Sequence, residues 1–168
     1  LPMDIILTKK IGHPNNREYA IGAVSLTEQY VLPHEEVPQH YIDHEVLRIR
    51  ESLKATYQKL KGNAPASDVR DKVVLVVDDG VATGNTMLVT LRMLRQGKPR
   101  KIIAAVPVAS RQAEAKLQAE ADEWVCLYVP PYFTGVGAYY EDFEQVTDEE
   151  ARMYLEMAQS AGADEPKR

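Results

Sequence analysis

Between residues 73 and 129, short apolar runs alternate with amphipathic segments, and this order constrains the fold more than any other feature of the sequence. The pattern predicts strand 73–77, helix 86–96, strand 102–108, helix 111–121 and strand 123–129. Strands that alternate with helices form parallel sheets, because each helix returns the chain to the edge where the next strand begins. We therefore predict an α/β fold with a Rossmann-like parallel sheet flanked by helices, in which the run at 73–77 is a buried strand.

The segments outside this core predict further elements at both ends. They are a buried strand at 3–8, a polar loop from residue 9, a hairpin of strands 19–25 and 30–32, a helix at 41–60 and a last helix from 148 to about 159. We expect a single domain over residues 1–160, with a flexible loop and hairpin at 11–32 and a C-terminal hood and helix at 130–160. Residues 161–168 are expected to form a disordered tail.

The composition excludes several classes of function. Apolar residues make up 45% of the chain and charged residues 27%, as in ordinary globular domains, and the net charge of -5 disfavours nucleic acid as a partner. No apolar run is long enough to span a bilayer, so no membrane partner is expected. A single cysteine, Cys126, in an apolar run predicts a buried thiol and a cytoplasmic protein.

Two carboxylates, Asp78 and Asp79, follow the strand at 73–77 and precede a turn with two glycines, residues 80–86, which we call the glycine turn. Ligands of parallel sheets bind beyond the carboxyl ends of the strands, where this turn is expected to lie. Gly80 and Gly84 allow conformations in which several amides converge on one anion at the positive end of the next helix. The predicted anion-binding residues are Val81, Ala82, Thr83, Gly84, Asn85 and Thr86.

The same two carboxylates complement a phosphate site in a way that predicts the ligand. Asp78 and Asp79 would repel a phosphate, but they can accept hydrogen bonds from vicinal sugar hydroxyls or hold a hydrated Mg²⁺. A sugar phosphate satisfies both halves of the site. The spacing excludes a P-loop, which needs a lysine after its second glycine where this chain has Asn85, and it excludes the three-glycine dinucleotide motif.

The segment from Val73 to Thr86 resembles the signature of the type I phosphoribosyltransferase family, with its apolar strand, acidic pair, small-residue turn and Thr-Gly-x-Thr close. The resemblance implies that family's fold, with its first strand and helix lacking before Met3. It also implies a transferase that moves the phosphoribosyl group of 5-phosphoribosyl 1-pyrophosphate (PRPP) to a nitrogenous base, with Mg²⁺ bound as the PRPP complex. By this resemblance Asp78 and Asp79 hold the ribose hydroxyls and the metal, and the glycine turn holds the 5-phosphate.

The resemblance extends to two further segments. Lys9 and Lys10 are expected at the same sheet edge, where an ammonium group could neutralise pyrophosphate oxygens, although most such lysines are ordinary surface residues. Residues 11–19 resemble the family's flexible catalytic loop. The aromatic stretch 130–143, which we call the hood, resembles the segment that seats the base, with Tyr140 and Glu141 as candidate base-binding residues. The aromatic residues of the hood could equally pack onto the core.

Several alternatives stay open at the level of sequence. Ala82 stands where 6-oxopurine enzymes of the family have an aspartate, so the identity of the base is undecided. A regulatory module that binds PRPP without transfer is the alternative function, and a hydrolase ranks last because no nucleophile is visible. The expected partners are small molecules, and a homodimer is compatible with the sequence.

Overall fold

The computed structural model describes residues 2–32, 37–65 and 67–163. Its elements are β1 Lys9–His13, β2 Asn16–Val24, β3 Gln29–Val31, α1 Gln39–Lys61, β4 Val73–Val77, α2 Asn85–Gln96, β5 Lys101–Val108, α3 Arg111–Gln118, β6 Glu123–Tyr128, a 3₁₀ helix Val136–Tyr139 and α4 Asp148–Ala163. No helix in these ranges is both long and apolar enough to cross a membrane.

The predicted parallel sheet is confirmed. Its strand order is β4-β5-β6, both pairs are parallel, and α2 and α3 make the two crossover connections. Along the central strand β5 the residues alternate between buried and half-buried, and Ile102, Ala104 and Val106 pack with Leu91 of α2 and Leu117 of α3. The sheet therefore buries one face against both helices, and its strands end together at the edge where β4 reaches Asp78.

The other face of this sheet contradicts the prediction that strand 73–77 is buried. Val73, Leu75 and Val77 of β4 are exposed, as are Val125 and Leu127 of β6. A run of apolar residues is typical of a parallel strand covered on both faces, whereas β4 is an edge strand with a helix layer on one face only within the described residues. The sequence pattern indicated the strand correctly and its burial incorrectly.

The amino-terminal segment differs most from the predictions. Residues 3–8 form no strand, and Met3 and Ile6 are exposed. The predicted polar loop from residue 9, including the family-like loop at 11–19, is instead an antiparallel hairpin of β1 and β2. Ile11 and Ile21 point into the core from these two strands, and this burial outweighs the polar character of the residues around them.

The predicted hairpin at 19–25 and 30–32 and the predicted helix at 41–60 are both present. β2 and β3 pair antiparallel, which completes a second three-stranded sheet, β1-β2-β3. The apolar stripe of α1 covers this sheet through Ile42, Val46, Ile49 and Leu53. At the carboxyl end of α1, Lys61 forms an ion pair of 2.6 Å with Asp4, which fastens the amino-terminal segment to the helix.

Helix α2 joins the two sheets. Val89 and Met93 pack against Ala23 of β2 and Tyr30 of β3, while the opposite side of α2 lies on the parallel sheet. Helix α4 continues to Ala163, so the first residues of the predicted tail are helical, and residues 164–168 lie outside the described part of the chain. Cys126, predicted to be buried, is a half-buried free thiol whose pKa is raised by burial.

Candidate active site

The glycine turn lies at the carboxyl end of β4, against the start of α3. The amide of Ser110, the residue that caps α3, donates to the carbonyl of Val81 at 2.9 Å. The Ser110 hydroxyl donates to the carbonyl of Ala82 at 2.5 Å and accepts from the amide of Ala113 at 3.0 Å. One helix cap therefore holds two successive carbonyls of the turn.

The next two carbonyls of the turn are also occupied. The ammonium group of Lys116, on α3, donates to the carbonyl of Thr83 at 2.7 Å and to the side-chain oxygen of Asn85 at 2.6 Å. The amide of Leu88 donates to the carbonyl of Gly84 at 2.8 Å as α2 begins. All four carbonyls from Val81 to Gly84 thus accept hydrogen bonds from the protein.

This arrangement leaves the amides of the turn available to a ligand. In a trans peptide the N–H points opposite to the C=O that precedes it, so carbonyls held on one side direct the following amides to the other. Within residues 2–32, 37–65 and 67–163, none of the amides from Ala82 to Thr86 donates to another protein atom. Five consecutive N–H groups at the amino end of a helix are donors of the kind that can bind an anion.

Gly84 makes the turn possible. Its φ of 75° and ψ of 0° are left-handed values that only glycine adopts without cost, and it forms the N-cap of α2. A Cβ at this position would lie 3.3 Å from Cα and Cβ of Ala113. The close approach of the turn to α3, which the carbonyl hydrogen bonds require, thus depends on glycine here.

Asp78 and Asp79 stand exposed at the end of β4, beside the turn. Although Asp78 contacts solvent, desolvation by the protein around it raises the pKa of its carboxyl group, and the charge of Asp79 acts in the same direction. The amide of Asp79 opposes this effect by donating to the Asp78 carboxylate at 3.0 Å. Two adjacent carboxylates at this edge can accept hydrogen bonds from a diol.

The hood closes over the same edge. The hydroxyl of Tyr140 donates to the backbone carbonyl of Asp79 at 2.5 Å, and its ring lies 5.1 Å from that of Phe143. A Cβ on Gly80 would lie 2.7 Å from Val136, so the hood packs directly on the start of the turn. The structure brings Tyr140 to the acidic pair, whereas Glu141 lies exposed on the surface of the hood.

Lys9 and Lys10 lie on opposite sides of strand β1. Lys9 and Lys10 lie in β1 and not after a strand of the parallel sheet, so the sheet edge expected from the sequence is wrong for both. Lys9 donates to the hydroxyl of Ser52 on α1 at 2.8 Å, away from the turn. Lys10, on the opposite side of β1, lines a small cavity together with Asn85 and Thr86, so it alone of the pair neighbours the glycine turn.

The acidic pair can supply two of the ligands of a Mg²⁺ ion that is bound mainly by water and phosphate. Within the described ranges no three His, Cys, Asp or Glu residues form a metal-binding group. Mg²⁺ commonly binds one or two carboxylates and takes its other ligands from water and a bound phosphate, so Asp78 and Asp79 suit an ion that arrives with its ligand.

Sequence reasoning missed Ser110 and Lys116. The signal for Ser110 was its place two residues after the strand at 102–108 and directly before a helical pattern, which is typical of an N-cap at the sheet edge where ligands bind. Lys116 gave no such signal, because only the packing of α3 brings its ammonium group to the turn.

Comparisons with known proteins agree with this geometry. The model of the family described as "Phosphoribosyl transferase domain" matches residues 30–142, more than half of the chain, including the acidic pair and the glycine turn. The proteins named "Putative phosphoribosyl transferase MT0597" and "Putative phosphoribosyl transferase Rv0571c", from two strains of Mycobacterium tuberculosis, are each 28% identical over 162 residues. These alignments cover 94% of this chain and 37% of each relative, so the chain spans well under half the length of these curated relatives.

A solved structure is similar over most of the fold. TT1426 from Thermus thermophilus, known from a crystal structure, is 41% identical and superposes with a TM-score of 0.74, over 90% of this chain and 74% of its own. The family match includes the acidic pair and the glycine turn, and the structural likeness extends over most of the chain. The chain belongs to the phosphoribosyl transferase family.

Proposed function

We propose that the protein transfers the phosphoribosyl group of PRPP to a nitrogenous base. In this reaction the bond between the anomeric carbon and the pyrophosphate oxygen breaks, and pyrophosphate leaves with the bonding electron pair. A nitrogen lone pair of the base forms the new bond to that carbon, and the nitrogen gives its proton to the released pyrophosphate or to water. The products are a nucleoside monophosphate and pyrophosphate.

The observation that carries this proposal is the separation of carbonyls from amides in the glycine turn. Donors from α3 and α2 take the four carbonyls, so the amides from Ala82 to Thr86 can surround the 5-phosphate. Asp78 and Asp79 directly precede this turn and are exposed, and we assign the ribose hydroxyls of the same ligand to them. A phosphate and a diol are joined in this way in a ribose 5-phosphate.

The remaining roles follow from position and charge. Lys10 is the residue that we propose for the pyrophosphate, because it lines a cavity with Asn85 and Thr86, whereas Lys9 lies on the side of β1 that faces Ser52 of α1. Mg²⁺ bound with PRPP at Asp78 and Asp79 would neutralise pyrophosphate charge. No protein nucleophile is required, since positioning and charge stabilisation carry the reaction.

The base site is proposed at the hood. The hydroxyl of Tyr140 contacts the backbone of Asp79, and the rings of Tyr140 and Phe143 are the flat apolar surfaces that we propose for the base. Glu141 remains the proposed acceptor for an N–H group of the base. A homodimer, a cytoplasmic location and a role in nucleotide salvage also remain predictions.

A pyrophosphate-release assay tests the activity. Purified protein is mixed with PRPP, Mg²⁺ and a panel of purine and pyrimidine bases, and release in the presence of one base is the expected result. Tight PRPP binding without release for any base would favour the regulatory module. One observation favours the regulatory module. Lys9 donates to Ser52 on α1, so its charge does not lie at the site where the sequence led us to expect it.

The acidic pair supplies the matched variants. Asp78→Asn/Asp79→Asn should weaken PRPP binding in calorimetry by at least about 10-fold, because two charge-assisted acceptors are lost. Asp43→Asn/Glu51→Gln removes the same charge from an exposed part of α1 and is the control. Unchanged affinity in the first variant, or equal losses in both, would contradict the proposal.

A further inference from the structure

Lys116 holds the glycine turn from behind, on the side away from the proposed ligand. The residue is half-buried on α3, and its ammonium group donates to the carbonyl of Thr83 at 2.7 Å and to the side chain of Asn85 at 2.6 Å. These two acceptors are separated by Gly84, the left-handed residue of the turn. One cation thus spans the point at which β4's loop becomes helix α2.

The chemistry of an ammonium group fixes the orientation of both acceptors. A lysine side chain can only donate, so the carbonyl of Thr83 and the side-chain oxygen of Asn85 must both face Lys116. The amide of Gly84 then points away from α3, and so does the side-chain NH₂ of Asn85. Without this donor, the Thr83–Gly84 peptide could rotate and present its carbonyl oxygen, which repels an anion, to the site.

Two residues at or on α3, Ser110 and Lys116, hold the glycine turn, and Lys116 is the charged one. Ser110 holds the carbonyls of Val81 and Ala82 by neutral hydrogen bonds that also belong to the cap of α3. Hydrogen bonds from a charged donor are roughly twice as strong as neutral ones, and here they act on the two groups closest to the amino end of α2.

We propose that Lys116 is a positioning residue that orients the Thr83–Asn85 part of the glycine turn for a sugar 5-phosphate. The inference rests on the proposed function, because it assigns the 5-phosphate to that turn. Lys116 acts through the backbone of Thr83 and the side chain of Asn85 and makes no contact with the ligand itself. It therefore governs phosphate affinity and leaves the acidic pair unaffected.

The test uses ribose 5-phosphate as the probe and compares three variants by calorimetry. Lys116→Met keeps the length of the side chain and removes the donor, and we expect about a 10-fold or greater loss of affinity. Lys116→Arg keeps a charged donor with several N–H groups, and should bind at least about 3-fold more tightly than Lys116→Met. Lys101→Met makes the same change of charge at the other end of the sheet, where Lys101 pairs with Glu123, and should bind normally.

Backbone amide NMR shifts separate positioning from general stability. In the wild type, ribose 5-phosphate should shift the amide signals of Thr83, Gly84 and Asn85. In Lys116→Met these shifts should be lost, while the remaining signals stay dispersed as in a folded protein. Lys116→Gln serves as a second neutral variant if Lys116→Met does not fold. Wild-type affinity in the neutral variants, no rescue by arginine, or an equal loss in Lys101→Met would each overturn the inference.

The outcome also separates this inference from the proposed function. If the wild type itself binds neither ribose 5-phosphate nor PRPP, the proposed function fails. If the wild type binds and the neutral variants bind equally well, only the role of Lys116 fails.

Discussion

Asp78 carries a negative charge at a position where the protein around it disfavours that charge. Desolvation raises the pKa of its carboxyl group, Asp79 adds like-charge repulsion, and a hydrogen bond from the amide of Asp79 offsets only part of the effect. A group of this kind lowers the stability of the fold at neutral pH. Such a cost is common where a charge serves a ligand, because sites for ligands are rarely optimised for the empty protein.

The first prediction concerns Asp78→Asn. Because the folded pKa of Asp78 is raised, its ionisation opposes folding above that pKa, and the penalty disappears when both states are protonated, below about pH 3. The variant should therefore melt higher than the wild type at pH 7 by a small amount, on the order of 1 °C since the group contacts solvent. The melting temperatures of Asp78→Asn and the wild type, measured by calorimetry at pH 7 and at about pH 3, check this prediction.

The control for Asp78→Asn is Asp142→Asn, which removes one charge from an exposed position on the hood. A lower melting temperature for Asp78→Asn at pH 7, or a gain that persists at pH 3, would show that the pKa of Asp78 is not raised.

At the scale of elements, α3 has two functions with different chemistry. Its amino end and Lys116 hold the glycine turn, and its apolar side, with Ala113 and Leu117 fully buried, covers the parallel sheet. The opposite face of that sheet is exposed, with Leu127 accessible over 81% of its surface. The two faces of one sheet therefore contribute very differently to the stability of this chain.

The second prediction compares two leucines of equal size. Leu117→Ala empties a fully buried site and should lower the free energy of unfolding by about 2–5 kcal/mol. Leu127→Ala, on the exposed face of β6, should change it by less than about 0.5 kcal/mol. Urea denaturation of the 168-residue chain measures both. Similar losses for the two variants would mean that the face carrying Leu127 is covered in solution.

At the scale of the whole molecule, Arg92 ties the two sheets together. This residue of α2 donates to Glu120, just after α3, with Nε at 2.9 Å from the carboxylate, and it also donates to the hydroxyl of Tyr30 on β3. The guanidinium group lies 4.7 Å from the centre of the Tyr30 ring. The antiparallel sheet that carries Lys10 is thereby held to the unit that carries the glycine turn.

The third prediction is a double-mutant cycle of Arg92→Met and Glu120→Gln. The pair is half-buried and charge-assisted, so the coupling free energy of unfolding should be about 1–2 kcal/mol at pH 7. The hydrogen bond from Arg92 lowers the pKa of Glu120, so this coupling is present above the unfolded pKa of about 4.5 and is lost as the pH falls through the lower folded value.

The exposed pair Arg152 and Glu156 on α4 provides the control cycle, where a much smaller coupling is expected. Equal coupling in the two cycles, or no pH dependence in the first, would contradict the role given to Arg92.

The sequence predicted those parts of the fold that local pattern governs. The three parallel strands, the helix at 41–60 and the start of α2 after the glycine turn were predicted correctly, because short apolar runs and an apolar period of 3.6 residues are local signals. It failed at β1, where Lys9, Lys10 and Gly12 look like loop residues and the burial of Ile11 against Ile21 forms a strand. Contacts of that kind join residues far apart in sequence.

In the candidate site, one short segment of sequence specifies two carboxylates, a turn that needs glycine, and a helix that begins behind it. These depend on residue type and spacing along one short segment. The direction in which the turn faces, the lysine beside it and the groups that hold it follow from packing, because they involve residues of other elements: Ser110, Lys116, Lys10 and Tyr140. Their positions depend on how helices and strands pack, and no local pattern encodes that.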